Sequence, residues 1–505
     1  MISTMRFVST RTGESLSFQD AVLSGWAPDG GMLLPETLPP VSESLLKSWA
    51  KLTYSELCLE IFKLLIPDSE FPHTEFEDVF LSSFAGFGCL EVVKVKDAPL
   101  PLPGGGDPLV VHVAELWHGP TLAFKDLGMQ VLARVLQKIL VWRQEKQIML
   151  VGTSGDTGSA AIEAVREIPE IGIVVLYPSR EHSNVSRSQE VQICRRVGER
   201  SVRVVRVQGG SDDLDVPIDE LFHDSQARST YNLGSLNSVN IVRMLMQLVH
   251  LFYCYLQAEP TADRPAVLSI PTGAGGHIAA ALLAVKMGLP VRRLLAATNE
   301  NDLLPRFLAT GCAKRGRVVG TTSPAMDVQV PYNIERILHI ATGGDSDRVA
   351  LWMDDFYSDG ELCVDHATLA ALVALKLESV SSDCGEVSDA VASVRAASGG
   401  YVVDPHTGVG LAALRQGVSA EEATQGPFLC MACAHPSKFP EFLGGLPGPT
   451  PSMPDTDHPC VSELLKLVAE AVDSEPIVTA VFEADNNQDW SKKLRDILDE
   501  LQACM

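Results

Sequence analysis

The chain has 505 residues, 46% of them hydrophobic and 21% charged, with a formal net charge of −24. That length exceeds a single core and suits two or three globular domains, while the acidic balance disfavours nucleic acid and anionic membrane surfaces as partners. No apolar run reads as approaching the roughly 18 to 20 residues of a membrane span.

Residues 1–98 read as a helix-rich N-terminal domain. The opening MISTMRFVSTRTGESLSF has neither the apolar core of a secretory signal nor the Arg-rich character of a transit peptide. Eleven cysteines without regular spacing read as reduced thiols, so a cytoplasmic protein is expected. At 98–108 the stretch APLPLPGGGDP should interrupt regular structure and separate this domain from the next.

From 99 to 445, β-branched runs alternate with helical patterns. The stretch WHGPTLAFKDLGMQ (117–130) leads into a helix with an apolar stripe from Leu127 to Leu140. QIMLVGTS, IGIVVLYP, SVRVVRVQG, AVLSIPTG, VRRLLAATN and PFLCMACA are candidate strands, separated by helices such as SAAIEAVREI and HIAAALLAVKMG. This alternation predicts an α/β fold with a mainly parallel sheet covered on both faces, and ligands beyond the carboxyl ends of its strands. A second joint, EFLGGLPGPTPSMPDTDHP (441–459), precedes two amphipathic helical patterns, read as a C-terminal helical extension over 446–505.

Three stretches carry the chemistry. PTGAGGH (271–277) sits between a strand and a helix, where glycines let backbone N–H groups approach an anion. Ile278 stands where a dinucleotide fingerprint wants a third small residue and Glu300 supplies its acid only loosely, and the Gly-Lys-Ser/Thr of a P-loop is absent, so a phosphate cradle and a plain tight turn remain ahead of a dinucleotide turn. GTSGDTGS (152–159) packs hydroxyls and N–H groups into one turn, for an anionic oxygen or for helix capping by Ser154 or Thr157. Lys125 stands at a helix start, where a cation is disfavoured. A surface lysine is one reading. The other is an amine flanked by Leu122 and Phe124 whose charged form is destabilised, as imine chemistry requires. An activated lysine beside a phosphate-binding glycine turn is the minimal kit for pyridoxal phosphate.

These stretches, with SFQDAVLSGWAPDGG, SLNSVNIVR and AHPSKFPE in the same order, resemble the threonine synthase family over nearly the full chain. The resemblance implies a fold-type-II pyridoxal 5'-phosphate enzyme, tryptophan synthase β-like, whose mainly parallel sheets form two lobes. The smaller lobe would be inserted at roughly 145–235 of a catalytic domain spanning 99–445, behind the added N-terminal domain. Lys125 would form the imine link to the cofactor and shuttle protons. Gly273, Ala274, Gly275, Gly276 and His277 match the loop for the cofactor phosphate, with Ala274 and Gly275 in place of the family's usual Asn-Phe pair. Ser154, Gly155, Asp156 and Thr157 match the loop beside the cofactor ring and substrate carboxylate.

Cys433 matches the position facing the pyridine nitrogen, where the family commonly has threonine. Asn237, Ser238, Asn240, Arg243 and Lys438 match further motif positions, with Asn240 assigned to substrate and the two cations suited to its phosphate or carboxylate. The Cys-x-x-Cys of CMACAH lacks a second pair, so Cys430 and Cys433 read as core cysteines and no metal is expected. PSREHSNVSRSQEVQ (178–192) departs from the family pattern and would shape the substrate's phosphate end.

The partner is thus a small phosphorylated amino acid, and oligomeric state is not readable. SDDLDVPIDELF, AMDVQVPYNIERI and PDGGMLLPETLP look like the threonine synthase-like 2 group. That favours a phospho-lyase releasing 2-oxobutyrate, ammonia and phosphate from O-phosphohomoserine or O-phosphothreonine. Threonine synthesis from O-phosphohomoserine and a serine/threonine dehydratase are the alternatives.

Overall fold

A computed structural model describes residues 6–89, 91–259, 261–419, 421–448, 456–471, 475–483 and 490–505. Its larger sheet has six strands in the order Leu377–Ser381, Val291–Thr298, Ala266–Pro271, Phe428–Ala432, Leu109–Glu115 and Lys94–Leu100. The first five are parallel and the last is antiparallel. Alternate residues of the central strands serve opposite cores, as the two-residue period of a strand requires. Leu268, Leu294 and Leu429 join the core built with helices Lys125–Arg143, Ile241–Ala258 and Gly276–Met287. Val267, Leu295 and Phe428 face helices Cys384–Ala397 and Pro405–Gly417.

The smaller sheet is parallel throughout, in the order Ala480–Phe482, Val202–Val207, Ile171–Pro178, Gln147–Gly152 and Leu233–Gly234. Its outer strand comes from the C-terminal region, which is therefore not only helical. Helix Trp490–Cys504 packs Trp490, Leu494 and Leu501 into the core that contains Ile148, Val174 and Val205. These residues extend the smaller lobe; residues 449–455 of the predicted second joint lie outside the described residues.

Three other expectations are corrected. The stretch at 98–108 does not separate domains: Ala98, Pro99 and Leu100 end an edge strand and the remainder turns a hairpin into Leu109–Glu115. Proline is tolerated there because an edge strand has one unpaired side. Helix Ile241–Ala258 is long and apolar enough by composition to cross a membrane, yet most of it is buried within the fold. Cys312 and Cys363 form a disulfide. They face each other directly in the antiparallel pair Cys312–Lys314 and Glu361–Cys363, a proximity that their separation of 51 residues conceals.

The N-terminal region has an antiparallel sheet of Phe7–Ser9, Ser15–Leu16 and Leu33–Pro35, with helix Phe18–Ser24 between its last two strands in the chain and helices Glu43–Trp49, Tyr54–Leu65 and His73–Phe84 after them. Phe18, Phe62, Phe71, Phe76 and Phe80 form its aromatic centre. This core is continuous with that of the larger sheet.

Candidate active site

The carboxyl ends of Gln147–Gly152 and Ala266–Pro271 open on one cleft. Lys125, Ser154, Asp156, Thr157, Arg243 and Cys433 line it together with Gly273, Ala274, Gly275, Gly276 and His277. The three stretches that sequence reading singled out therefore converge, although more than 100 residues separate GTSGDTGS from PTGAGGH.

The turn before Lys125 is held from both sides. Asp126 accepts hydrogen bonds from the Thr121 amide at 2.9 Å and the Thr121 hydroxyl at 2.7 Å. Burial nevertheless pushes the Asp126 carboxyl up to about 6. Leu122 takes a left-handed backbone conformation, φ 61°, which an L side chain adopts only under constraint. The constraint is visible: the His435 amide donates to Leu122 O at 2.9 Å and the Phe124 amide to Cys433 O at 2.7 Å. Lys125 is thus delivered to the cleft by its own turn and by the 433–435 segment at once.

The Lys125 ammonium stands 3.8 Å from Asp156 Oδ2 and lies over the Phe124 ring. Burial lowers its pKa, Asp156 opposes that, and Arg243 and Lys438 push it further down. Asp156 in turn accepts from Lys438 Nζ at 2.7 Å and Gln189 Nε2 at 2.9 Å on Oδ1. Burial alone would raise its pKa, but Lys438 and Lys125 prevail and hold the carboxylate far below its usual range.

Two predicted substrate contacts do not open on the cleft. Lys438 is 0% exposed, and its ammonium is committed to Asp156 and to Thr121 O at 2.8 Å. A buried lysine requires such a counter-charge, which leaves it to organise the site from behind. Asn240 caps helix Ile241–Ala258 and donates to Val22 O at 2.8 Å and to Ser235 O. Gly155 also lies off the cleft lining, and its amide is bound to Thr153 Oγ1 at 3.0 Å. That threonine, rather than Ser154 or Thr157, secures the loop, accepting from the Gly158 amide as well. Among the described residues the Ser154 and Thr157 hydroxyls have no hydrogen-bond partner and face the cleft.

No residue of 179–192 lines the cleft; that segment acts through Gln189, whose carboxamide positions Asp156. In contrast, Ala325, Met326, Val328, Val330 and Tyr332 of AMDVQVPYNIERI do line it, as does Leu214.

The glycine loop has the form an anion cradle needs. Gly275 has φ 80° and caps helix Gly276–Met287, whose first amides lack intrahelical acceptors. His277 stacks on Phe124, ring centroids 6.1 Å apart, and burial drives its pKa down to about 3, so it is neutral. Arg243 is a cation on the cleft lining. It is 3% exposed, donates to Leu236 O at 2.8 Å, and forms no salt bridge among the described residues. Burial lowers its pKa to about 10, which leaves it cationic at neutral pH. A buried, charged guanidinium at a cleft calls for an anion.

Sequence reading missed the opposite wall. His406 lines the cleft; its Nε2 accepts from the Ala325 amide at 3.2 Å, so Nδ1 carries the proton donated to Asp404 Oδ1 at 2.9 Å. Thr407 donates to Asp404 and accepts from the Cys433 amide at 2.9 Å. Burial pushes the Cys433 thiol well up, which keeps it protonated. Tyr332 is bound to Ser238 Oγ at 2.8 Å. The N-terminal domain reaches this wall through Arg11, paired with buried Glu335 at 3.1 Å, and through Leu33 O, which accepts from Arg336. Arg336 also donates to Ser238 O at 2.7 Å, so the domain braces a cleft it does not line.

A two-lobed α/β chain that brings a buried lysine amine within reach of a glycine-bounded anion cradle defines the class of fold-type-II pyridoxal phosphate enzymes. The family models agree: residues 98–392 match the pyridoxal-phosphate dependent enzyme model and residues 6–84 match the threonine synthase N terminus. The chain belongs to the threonine synthase family. It is 34% identical to threonine synthase-like 2 of Rattus norvegicus over 98% of this chain and 97% of that one. Identity to threonine synthase of Pseudomonas aeruginosa is also 34%, covering 89% and 92%. The crystal structure of pyridoxal phosphate-bound threonine synthase from Brucella melitensis superposes with a TM-score of 0.83 at 31% identity, covering 98% of this chain and 99% of that one. The cofactor of this chain is pyridoxal 5'-phosphate.

Proposed function

We propose that the protein is a phospho-lyase that converts O-phosphohomoserine, O-phosphothreonine or both, with one water, to 2-oxobutyrate, ammonia and phosphate. The observation that carries the substrate class is Arg243, a buried cation at the cleft without a carboxylate partner among the described residues. The choice of lyase is supported by Leu214 and by the 325–332 segment. Both belong to stretches that look like the threonine synthase-like 2 group, and both line the cleft.

The residues present fit the cofactor. Gly273, Ala274, Gly275, Gly276 and His277 would hold its phosphate with backbone amides, and neutral His277 adds no repulsion. Cys433 would meet the ring nitrogen with a neutral thiol rather than a carboxylate, which leaves that nitrogen largely unprotonated. When bound, pyridoxal phosphate supplies an electron sink for the pair left at Cα. Lys125 would hold the cofactor and would take the proton from the substrate Cα; its lowered pKa favours the free base this requires. Ser154 and Thr157 donate to the substrate carboxylate, and Arg243 binds the phosphate that leaves. Asp156, fixed by Lys438 and Gln189, sets the position and charge of Lys125. A cytoplasmic location belongs to this reading, supported by nine of the eleven cysteines being free, while the Cys312–Cys363 disulfide weighs against it.

Threonine synthesis is the second reading, supported by the likeness to the Brucella melitensis enzyme over nearly both full chains. The two differ in whether water is added at Cβ. Incubating the holoprotein with each phosphorylated amino acid and quantifying phosphate, 2-oxobutyrate and threonine separates them. Equal release of phosphate and 2-oxobutyrate is expected; threonine as the main product overturns the lyase reading.

Gly275→Ala tests the cradle. A Cβ in a left-handed conformation costs about 1–2 kcal/mol, so cofactor affinity should fall roughly tenfold, read by titrating pyridoxal phosphate into apoprotein. Unchanged affinity would remove this loop from the phosphate site.

A further inference from the structure

Away from the cleft, one side chain from each of three distant regions meets at the base of the lysine turn. Cys89 follows the last helix of the N-terminal domain, His118 lies in the WHGP stretch, and His458 immediately precedes helix Pro459–Glu470. One ligand atom from each, the Cys89 sulfur and a ring nitrogen of each histidine, lies within 4.8 Å of the other two. A tetrahedral zinc ion with bonds of about 2.0–2.3 Å holds its ligand atoms roughly 3.3–3.8 Å apart. Small side-chain adjustments bring these three to that spacing.

The hydrogen bonding is that of a metal-ready site. His118 is 4% exposed; its Nε2 is engaged with Glu115 Oε2 at 3.1 Å, and its Nδ1 is buried beside the Cys89 sulfur without a well-formed hydrogen bond among the described residues. A histidine that donates one N–H to a carboxylate presents the other nitrogen as a fixed, electron-rich ligand. Both ring nitrogens of His458 are likewise buried near that sulfur without a well-formed hydrogen bond among the described residues. Leaving such polar atoms unsatisfied costs about 1–3 kcal/mol each, a cost that one ion would relieve at one nitrogen of each histidine. Space has been made for the second imidazole: a Cβ at Gly88 would collide with the His458 ring. The Gly88 amide also donates to His118 O at 3.1 Å, tying the two segments before any ion is added. The Cys89 sulfur now donates to Glu91 O at 2.8 Å. Zinc binding would form the sulfur–metal bond and release that thiol proton to solvent.

We propose that Cys89, His118 and His458 bind one zinc ion, with water in the fourth position. The ion fastens the N-terminal domain and the C-terminal extension to the turn that delivers Lys125. The ion stands apart from the chemistry, since none of the three ligands lines the cleft.

The test uses holoprotein carrying pyridoxal phosphate, stripped with a chelator and dialysed against Zn²⁺, with zinc per chain read by atomic emission. Wild type should take up one equivalent. Cys89→Ser and His458→Ala should each bind at least about a hundredfold more weakly, while Cys384→Ser, at a remote half-exposed thiol, should bind normally. Cd²⁺ in place of zinc should give a thiolate charge-transfer absorption in wild type that Cys89→Ser lacks. Should the ligand variants fail to fold, alkylation of wild type decides: Zn²⁺ should protect Cys89, identified by peptide mass. No zinc uptake by wild type, undiminished uptake by both ligand variants, or no protection of Cys89 would overturn the assignment.

Discussion

Lys125→Ala should lower turnover of the phosphorylated amino acid by at least about 1,000-fold, the scale of losing a positioned proton-transfer group together with the covalent anchor. The same variant should lose the visible absorbance of lysine-linked cofactor, and borohydride should no longer fix the cofactor to the chain. Geometry supports so large an effect: the second lysine near Asp156, Lys438, is 0% exposed and held by two partners. Among the described residues no other lysine lines the cleft to substitute for the Lys125 amine. Retention of the borohydride-sensitive band, on another lysine, would contradict the assignment.

Asp156→Asn should destabilise the holoprotein by about 3–5 kcal/mol, because it leaves the buried Lys438 ammonium without its counter-charge. Adding Lys438→Met should recover much of the loss, since a buried ion pair is often replaceable by apolar groups whereas half of one is not. Denaturant unfolding at fixed cofactor concentration measures both, and a double variant no more stable than the single one would refute the coupling. The wild-type pair also sets a pH dependence. The folded pKa of Asp156 is depressed below its unfolded value. Its contribution is therefore complete above about pH 5 and is lost as pH falls through the ordinary carboxylate range toward the folded pKa. The acid limb of stability should be shallower in the double variant.

These effects converge on residues whose visibility in the sequence differed. Lys125, the glycine loop and GTSGDTGS were legible because each carries a local signature: a cation at a helix start, glycines between strand and helix, hydroxyls in one turn. Lys438 and Asn240 were named from motif position, yet the fold turns them away from the cleft, one to a counter-ion and one to a helix cap. Gln189, Asp126 and His406 were not assigned, because each acts through a partner distant in sequence or through a backbone group that only the folded turn presents.

Domain limits show the same division. Pro and Gly at 98–108 announce a turn, and a turn is there, but whether a turn parts two domains or two strands of one sheet depends on pairing across it. The C-terminal strand Ala480–Phe482 is too short to signal itself and exists because Val202–Val207 offers an open edge. The sequence by itself determined the alternating α/β pattern, the family and the lysine. Tertiary structure alone decided which charges meet: the pairing of Lys438 with Asp156, the carboxylate-free burial of Arg243, and the meeting of Cys89, His118 and His458. Periodicity and glycine placement act over a few neighbouring residues and so are written locally, whereas burial and charge pairing are properties of segments that become neighbours only after the chain has closed.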